Sequence, residues 1–316
     1  MSIKRGHSKH TIRKQYVLED VIEKTYGALK GISIKRGIEI PFNWIDAYAG
    51  IGSNPEEGCL GSPVIFKNIM IKHDWPYCAR CIDEKPHIQK LKSVIGDDQH
   101  FRFYIGDNSK ILPIIAEKIR MDQFGILYLD PNGAPRPEMW DSLSQITKLN
   151  SMSKIDILIH LHATSIKRNL GAKTRDKTLY ENLKSVNKKM WYVHLCHPMN
   201  SDANQWIMLI GTNYIGWNLK SINFHGFNTP EGQAILNFVN HTKNTPSDKM
   251  VAPQTLLSGF EYIHHSKKAI NMMDGDDITY RSHRENLNTG ICGNGKQFCN
   301  RTDFILSKYT KNLNKI

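Results

Sequence analysis

The sequence predicts an α/β protein with a Rossmann-like sheet that is parallel over most of its width. Short apolar runs alternate with amphipathic stretches as far as residue 189, which is typical of parallel strands joined by helices. Acidic residues or a glycine turn follow the first four apolar runs, at the positions where open α/β sheets bind ligands. The last two apolar runs are joined only by residues 197–205, without room for a crossover helix, so they should pair antiparallel.

The individual elements follow from periodicity and from their end signals. A first helix should run from Thr11 to Lys30, because apolar residues recur at helical spacing and Gly31 should end it. The next helix should begin at Pro63 with Ser62 as its cap. The predicted strands lie at 44–47, 77–82, 101–105, 125–129, 155–161, 191–196 and 206–212. The other predicted helices lie at 63–72, 86–94, 109–119, 138–149, 178–189 and 231–240.

Three regions are expected along the 316 residues: a basic arm and helix at 1–35, a core at 36–215, and a C-terminal extension at 216–316 that is a candidate substrate-binding module. Mean hydropathy is -0.45, and no apolar run approaches the roughly 20 residues of a membrane helix. The N-terminus lacks the apolar segment of a secretory signal. Six irregularly spaced cysteines argue against a disulfide scaffold, so we expect reduced thiols, a cytoplasmic protein and no membrane partner.

The charge balance points to a polyanionic partner. The formal net charge is +12 and the isoelectric point about 9.3, and a positive field concentrates polyanions such as DNA and RNA. The first eighteen residues contain Lys4, Arg5, Lys9, Arg13 and Lys14 and no acid, as a contact arm would. Such a composition also occurs in a soluble basic protein without a nucleic-acid partner.

A nucleoside-cofactor site is predicted from four strand ends. The segment 46–52, Asp-Ala-Tyr-Ala-Gly-Ile-Gly, follows the first strand, and its small residues let a ligand approach the backbone. Asp83 ends the second strand, where an acid can bind ribose hydroxyls and would repel a 2'-phosphate. Asp107 could accept the amino group of adenine, and Asp130 ends the fourth strand. The candidate cofactor residues are Asp46, Ala47, Tyr48, Gly50, Gly52, Asp83, Asp107 and Asn108. No Gly-Lys-Ser/Thr follows the turn, which excludes a P-loop.

Together these segments resemble one family. The glycine turn at 46–52, Gly61-Ser62-Pro63, Gly106-Asp107 and residues 129–133 (Leu-Asp-Pro-Asn-Gly) look like the three-Cys-motif partner (TcmP) family, a branch of the class I methyltransferases. Lys9-His10 and residues 206–213 add to the resemblance, which spans roughly residues 7–215. The resemblance implies S-adenosylmethionine as cofactor and a seven-stranded sheet with an antiparallel last strand. Asn132 departs from the family pattern, which usually has Phe there.

The acceptor site is expected at the end of the fourth strand. In amino methyltransferases an Asp-Pro-Pro-Tyr-type loop accepts hydrogen bonds from an exocyclic amino group, and here Asp130, Pro131 and Asn132 are the candidate catalytic residues. No aromatic residue follows Pro131, so Tyr48 or Trp140 should stack on the base. Asp130 could instead only cap the loop that follows it. Further candidate substrate-binding residues are Lys9, His10, Lys14, Trp140 and His162.

No metal site is predicted. Cys78 and Cys81 should point to opposite faces of a strand, and Cys292 and Cys299 lack evident partner ligands. His160 and His162 share one face of the fifth strand, where histidines at a strand end are most simply explained as satisfied structural residues.

Three functions stay open at this point: a methyltransferase acting on a DNA or RNA base, a catalytically weak cofactor-binding partner of a defence or modification system, and a small-molecule or protein methyltransferase. The last would not need the basic arm. The oligomeric state is not evident from the sequence.

Overall fold

The computed structural model describes residues 10–54, 59–131, 133, 135–163, 165–166, 179–195, 206–214 and 216–240. The helices are α1 (His10–Arg36), α2 (Ser62–His73), α3 (Lys85–Ile95), α4 (Asn108–Glu117), α5 (Pro137–Ile146), α6 (Leu179–Ser185) and α7 (Pro230–Asn240). The strands are β1 (Phe42–Asp46), β2 (Ser53–Asn54), β3 (Cys59–Leu60), β4 (Tyr77–Asp83), β5 (Phe101–Ile105), β6 (Phe124–Leu129), β7 (Ile155–His162), β8 (Met190–Leu195), β9 (Trp206–Thr212) and β10 (His225–Gly226).

The main sheet has eight strands in the order β10-β8-β9-β7-β6-β1-β4-β5. Strands β5, β4, β1, β6 and β7 are parallel neighbours, whereas β9 is antiparallel to both β7 and β8. The predicted fold class, a Rossmann-like α/β sheet with an antiparallel last pair, is therefore confirmed. The short strand β10 extends the sheet beyond the seven strands expected.

Alternate residues of each strand enter two apolar layers. In β1, Ile45 packs into the layer that contains residues of α4 and α5, whereas Trp44 packs into the layer that contains residues of α1 and α2. The parallel strands are buried on both faces, which explains why they read as continuous apolar runs. The second layer matters for function, because it places α1 over the same sheet face as Asp46 and His160.

The prediction that Gly31 ends the first helix is wrong. Helix α1 continues through Gly27 and Gly31 to Arg36, and the chain leaves it at Gly37 with φ +64°. A glycine inside a helix costs only about 1 kcal/mol, which packing of the next turn can outweigh. Ser33 in that turn is buried, and its Oγ accepts a hydrogen bond from the Ile40 amide at 3.2 Å.

The predicted start of α2, at Pro63 with Ser62 as its cap, is wrong by one residue. Gly61, and not Ser62, occupies the N-cap position, and Ser62 is the first helical residue. Its hydroxyl donates to Asp46 instead of capping the helix. Predicted helix 178–189 also ends early, at Ser185, because Met190 already begins β8.

Residues 216–240, which the sequence analysis placed in the C-terminal extension, join the main sheet. Strand β10 pairs with β8, and Leu219 and Phe224 are fully buried in the same layer as Ile210. The chain beyond residue 240, including the candidate ligands Cys292 and Cys299, lies outside the described residues. Among the described helices, none is both long and apolar enough to cross a membrane.

Candidate cofactor crevice and acceptor site

The carboxyl ends of the parallel strands bring the predicted acidic residues to one edge of the sheet. Asp46 ends β1, Asp83 ends β4 and Asp130 directly follows β6. Register pairing puts Ile159 of β7 beside Leu129, so His160 lies beside Asp130. Residues far apart in sequence thus form one continuous edge.

The turn after β1 is open where a ligand could approach. Gly50 and Gly52 have φ +62° and +85°, a region that side chains rarely adopt. A Cβ atom built on Gly52 would lie 2.7 Å from Leu91 Cδ1, whereas no atom of the described residues lies within 4 Å of one built on Gly50. Gly52 is therefore favoured by its backbone conformation, with a Leu91 methyl that would also have to shift, and Gly50 leaves its backbone uncovered by the described residues.

Asp83 holds this turn in place. One carboxylate oxygen accepts from the Gly50 amide at 2.7 Å, and the other accepts from the Glu84 amide and His87 Nδ1, both at 2.7 Å. Each carboxylate oxygen has two lone pairs, so the oxygen facing Gly50 can accept one more hydrogen bond. His87 is one-third exposed and can rotate away to free another.

Asp107 and Asn108 lie just after the end of β5, at the start of α4. Asp107 caps α4, where it accepts from the Ser109 amide and hydroxyl at 2.9 Å, and these bonds lower its pKa. Asn108 Nδ2 donates to the Ala47 carbonyl oxygen at 3.1 Å and so ties α4 to the turn after β1. Both residues therefore help to shape the crevice through helix and turn geometry.

Asp46 and Ala47 are buried at the start of the turn after β1 and stabilise it. Asp46 is fully buried and accepts from Ser62 Oγ at 2.6 Å and from the Tyr48 amide at 3.2 Å. Burial raises the pKa of this carboxyl group to about 7, against the lowering effect of both hydrogen bonds. Because neither side chain reaches solvent, only the half-buried Tyr48 among these three residues has a side chain available to a ligand.

Asp130 is the centre of a three-residue contact that the sequence did not reveal. One of its oxygens accepts from His160 Nδ1 at 2.5 Å, and the other pairs with the Lys14 ammonium from α1. The Asp130 side chain is still 23% exposed. The contact with Lys14 brings the basic start of α1 directly against the proposed acceptor site.

In this contact of Lys14, Asp130 and His160, the pKa values of Asp130 and His160 are both lowered. Burial would raise the pKa of Asp130, but the charges and hydrogen bonds of Lys14 and His160 hold it well below the ordinary value. Burial lowers the pKa of His160, and the Lys14 charge lowers it further, against the opposing effect of Asp130. At neutral pH Asp130 is therefore a carboxylate and His160 a neutral imidazole.

The other ring nitrogen of His160, Nε2, is buried and has no hydrogen-bond partner among the described residues. The imidazole lies edge-on to the indole of Trp206, with ring centroids 4.8 Å apart. A strand-end histidine whose two nitrogens are both satisfied was the simplest expectation, and the described residues satisfy only one. The pairing could be anticipated only by assigning the β6–β7 register.

The remaining candidate residues are more scattered. Trp140 is 5% exposed inside the layer beneath α5, so it offers no free ring face and is not retained as a stacking partner. Pro131 is buried after β6, and His162 pairs with Trp206 at the end of β7. His10 begins α1, whereas Lys9 and Asn132 lie outside the described residues. No group of three or more potential metal ligands occurs in the part of the chain that is described.

Comparisons with known proteins support no family membership. No family model and no curated protein matches the chain. Similar solved structures include protein LPL1258 from Legionella pneumophila, at 13% identity over 65% of this chain and 88% of that one, with a TM-score of 0.43. They also include an rRNA methylase from Streptococcus thermophilus, at 10% identity over 56% and 90%, with a TM-score of 0.34. The plantazolicin methyltransferase BamL, solved with SAH, is 12% identical over 65% and 89%, with a TM-score of 0.37. At these identities and TM-scores the similarities are distant.

Proposed function

We propose that this protein is an S-adenosylmethionine-dependent methyltransferase that modifies an exocyclic amino group of a base in DNA or RNA. The observation that supports it best is the juxtaposition at one sheet edge of an open glycine turn tied to Asp83 and, one strand beyond the turn, the partly exposed Asp130.

The crevice fits the nucleoside part of such a cofactor. The space over Gly50 admits a ligand against the backbone, and Asp83 can accept from a ribose hydroxyl at its remaining lone pair. Tyr48 and Asn108 form a side-chain hydrogen bond beside the turn after β1, where Asn108 also donates to the Ala47 carbonyl oxygen. When bound, the cofactor supplies an activated methyl group on a sulfonium centre, so the protein mainly has to align the acceptor.

Asp130 suits the role of orienting an amino group. Its depressed pKa keeps it ionised and acceptor-only, and its oxygens have lone pairs beyond those used by Lys14 and His160. An amino group carries two donors, of which Asp130 could accept one, and a second acceptor, such as the Pro131 carbonyl or a neighbouring side chain, could accept the other. A base within a duplex would first have to leave the stack.

A nucleic-acid substrate accords with the charge of the chain. The net charge is +12, and Lys14, near the basic N-terminal segment of the sequence, contacts Asp130 at the proposed acceptor site. A phosphate backbone that reaches Lys14 would present its bases close to Asp130.

Turnover with methyl-labelled S-adenosylmethionine on total DNA, total RNA, total protein and a small-molecule extract tests this function. The wild type should label nucleic acid, and Asp130→Asn should lower the rate by at least about 10²-fold while still binding cofactor, because an oriented acceptor is lost. Asp141→Asn, an exposed carboxylate on α5, is the matched control and should keep full activity. Label in protein or small molecules alone would replace nucleic acid as the substrate. Cofactor uptake without any label would instead identify a binding partner protein.

A further inference from the structure

We propose that His160 is the proton acceptor of the methyl-transfer reaction, held in the required tautomer by Asp130. This inference rests on the proposed function and adds a residue and a proton path to it. Its geometric basis is the 2.5 Å contact between Asp130 and His160 Nδ1, together with the unpartnered nitrogen on the other side of the ring.

The tautomer follows from the contact with Asp130. A carboxylate that accepts from Nδ1 requires the proton to sit on Nδ1, which leaves a lone pair on Nε2. A buried polar atom without a partner is costly and calls for an explanation, and the side chain of His160 is only 10% exposed. A substrate that donates to Nε2 would supply the missing hydrogen bond.

The contact with Lys14 favours His160 over Asp130 as the proton acceptor. Its ammonium contacts the second Asp130 oxygen, so the carboxylate stays ionised and cannot serve as the proton store. The charged or titratable groups that act on His160 are Asp130, Lys14 and His162, from the end of β6, from α1 and from β7 itself. Burial and the Lys14 charge keep the imidazole neutral at physiological pH, so its lone pair is available.

The step balances as a displacement with proton loss. The lone pair of the acceptor nitrogen forms the new N–C bond as the sulfonium C–S bond breaks and its electron pair stays on sulfur. The acceptor nitrogen then carries an excess proton, which passes to His160 Nε2 and later to solvent. Lys14 is a positioning residue in this scheme, because it acts through Asp130, whereas Asp130 both orients the acceptor amino group and holds the imidazole. Proton transfer to a placed side chain typically contributes 10²–10⁴-fold.

Nitrogen NMR of the imidazole tests the tautomer in the wild-type protein without any turnover. With SAH bound, His160 should carry its proton on Nδ1 and a lone pair on Nε2. Lys14→Met should move the His160 titration to higher pH, since a nearby positive charge is removed. A wild-type spectrum with the proton on Nε2 would overturn the proposal, and so would a titration that Lys14→Met leaves in place.

Turnover variants test the catalytic role. His160→Gln should bind SAH as the wild type does, lose about 10²-fold or more in kcat and lose the acidic limb of the pH–rate profile. The matched control is His194→Gln, a buried histidine two strands away whose Nδ1 contacts the Asn223 carbonyl oxygen at 3.0 Å. It should keep kcat and the limb. A His160→Gln protein with wild-type kcat overturns the role of His160. A wild type that labels no nucleic acid overturns the proposed function itself, which separates the two failures.

Discussion

Carboxylates at the same sheet edge can be structural or available to a ligand, depending on how deeply they are buried. Asp46 and Asp83 both end strands at the same edge, yet Asp46 is fully enclosed whereas the Asp83 side chain is 14% exposed. The first stabilises the turn through Ser62 and Tyr48, and the second can still accept from a ligand. Position at a strand end is therefore not sufficient to identify a binding residue.

The burial of Asp46 should make the free energy of unfolding depend on pH. Because its folded pKa of about 7 lies above the ordinary 3.8, the folded protein binds more protons than the unfolded chain between these values. Asp46 therefore penalises folding increasingly as the pH rises from about 4 to above 7, by up to roughly 4 kcal/mol.

Urea unfolding of the wild type and Asp46→Asn across this pH range measures the effect. The free energy of unfolding of the wild type, relative to the variant, should fall as pH rises. Asp156, whose pKa burial raises to about 6, is present in both proteins and cancels in the difference. Parallel pH curves for the two proteins would show that Asp46 is not buried as described.

At the scale of elements, the turn after β1 and helix α1 use glycine in opposite ways. Gly52 has φ +85°, and a methyl group there would lie 2.7 Å from Leu91 Cδ1, whereas Gly27 lies in the exposed face of α1 with no described atom within 4 Å of such a group. Only Gly52 is required by the local structure. The small-residue run at 46–52 predicted a turn with little room for side chains, whereas the single Gly31 wrongly predicted a helix end.

Gly52→Ala and Gly27→Ala form a matched pair that tests this difference. Gly52→Ala should lower the free energy of unfolding by about 1–3 kcal/mol, because positive φ and a close contact both oppose a side chain. Gly27→Ala should raise it by about 0.5–1 kcal/mol, as alanine favours a helix. Urea midpoints of both variants provide the measurement. A Gly52→Ala protein as stable as the wild type would mean that the turn has another geometry.

At the scale of the whole molecule, a mostly parallel sheet could be anticipated, because the alternation of apolar runs and helices favours that class of sheet. The pairing of β8 with β9 followed from the short segment between them. The contact of Lys14 and His160 with Asp130 could not be anticipated, because it depends on how α1 crosses the sheet and on the β6–β7 register. Such tertiary geometry leaves no local pattern in the sequence.

Calorimetric titration with SAH tests the central claim most directly, namely that the crevice beside Gly50 and Asp83 binds the nucleoside cofactor. The matched variants are Asp83→Asn and Asp98→Asn, since the Asp98 side chain is similarly buried at 11% exposure but contacts Tyr77 and Lys67 away from the crevice. The wild type and Asp98→Asn should bind one SAH per chain with equal affinity. Asp83→Asn should bind about 10-fold or more weakly, because a charged hydrogen-bond acceptor is lost. No uptake by the wild type, or equal affinity of Asp83→Asn, would contradict the account.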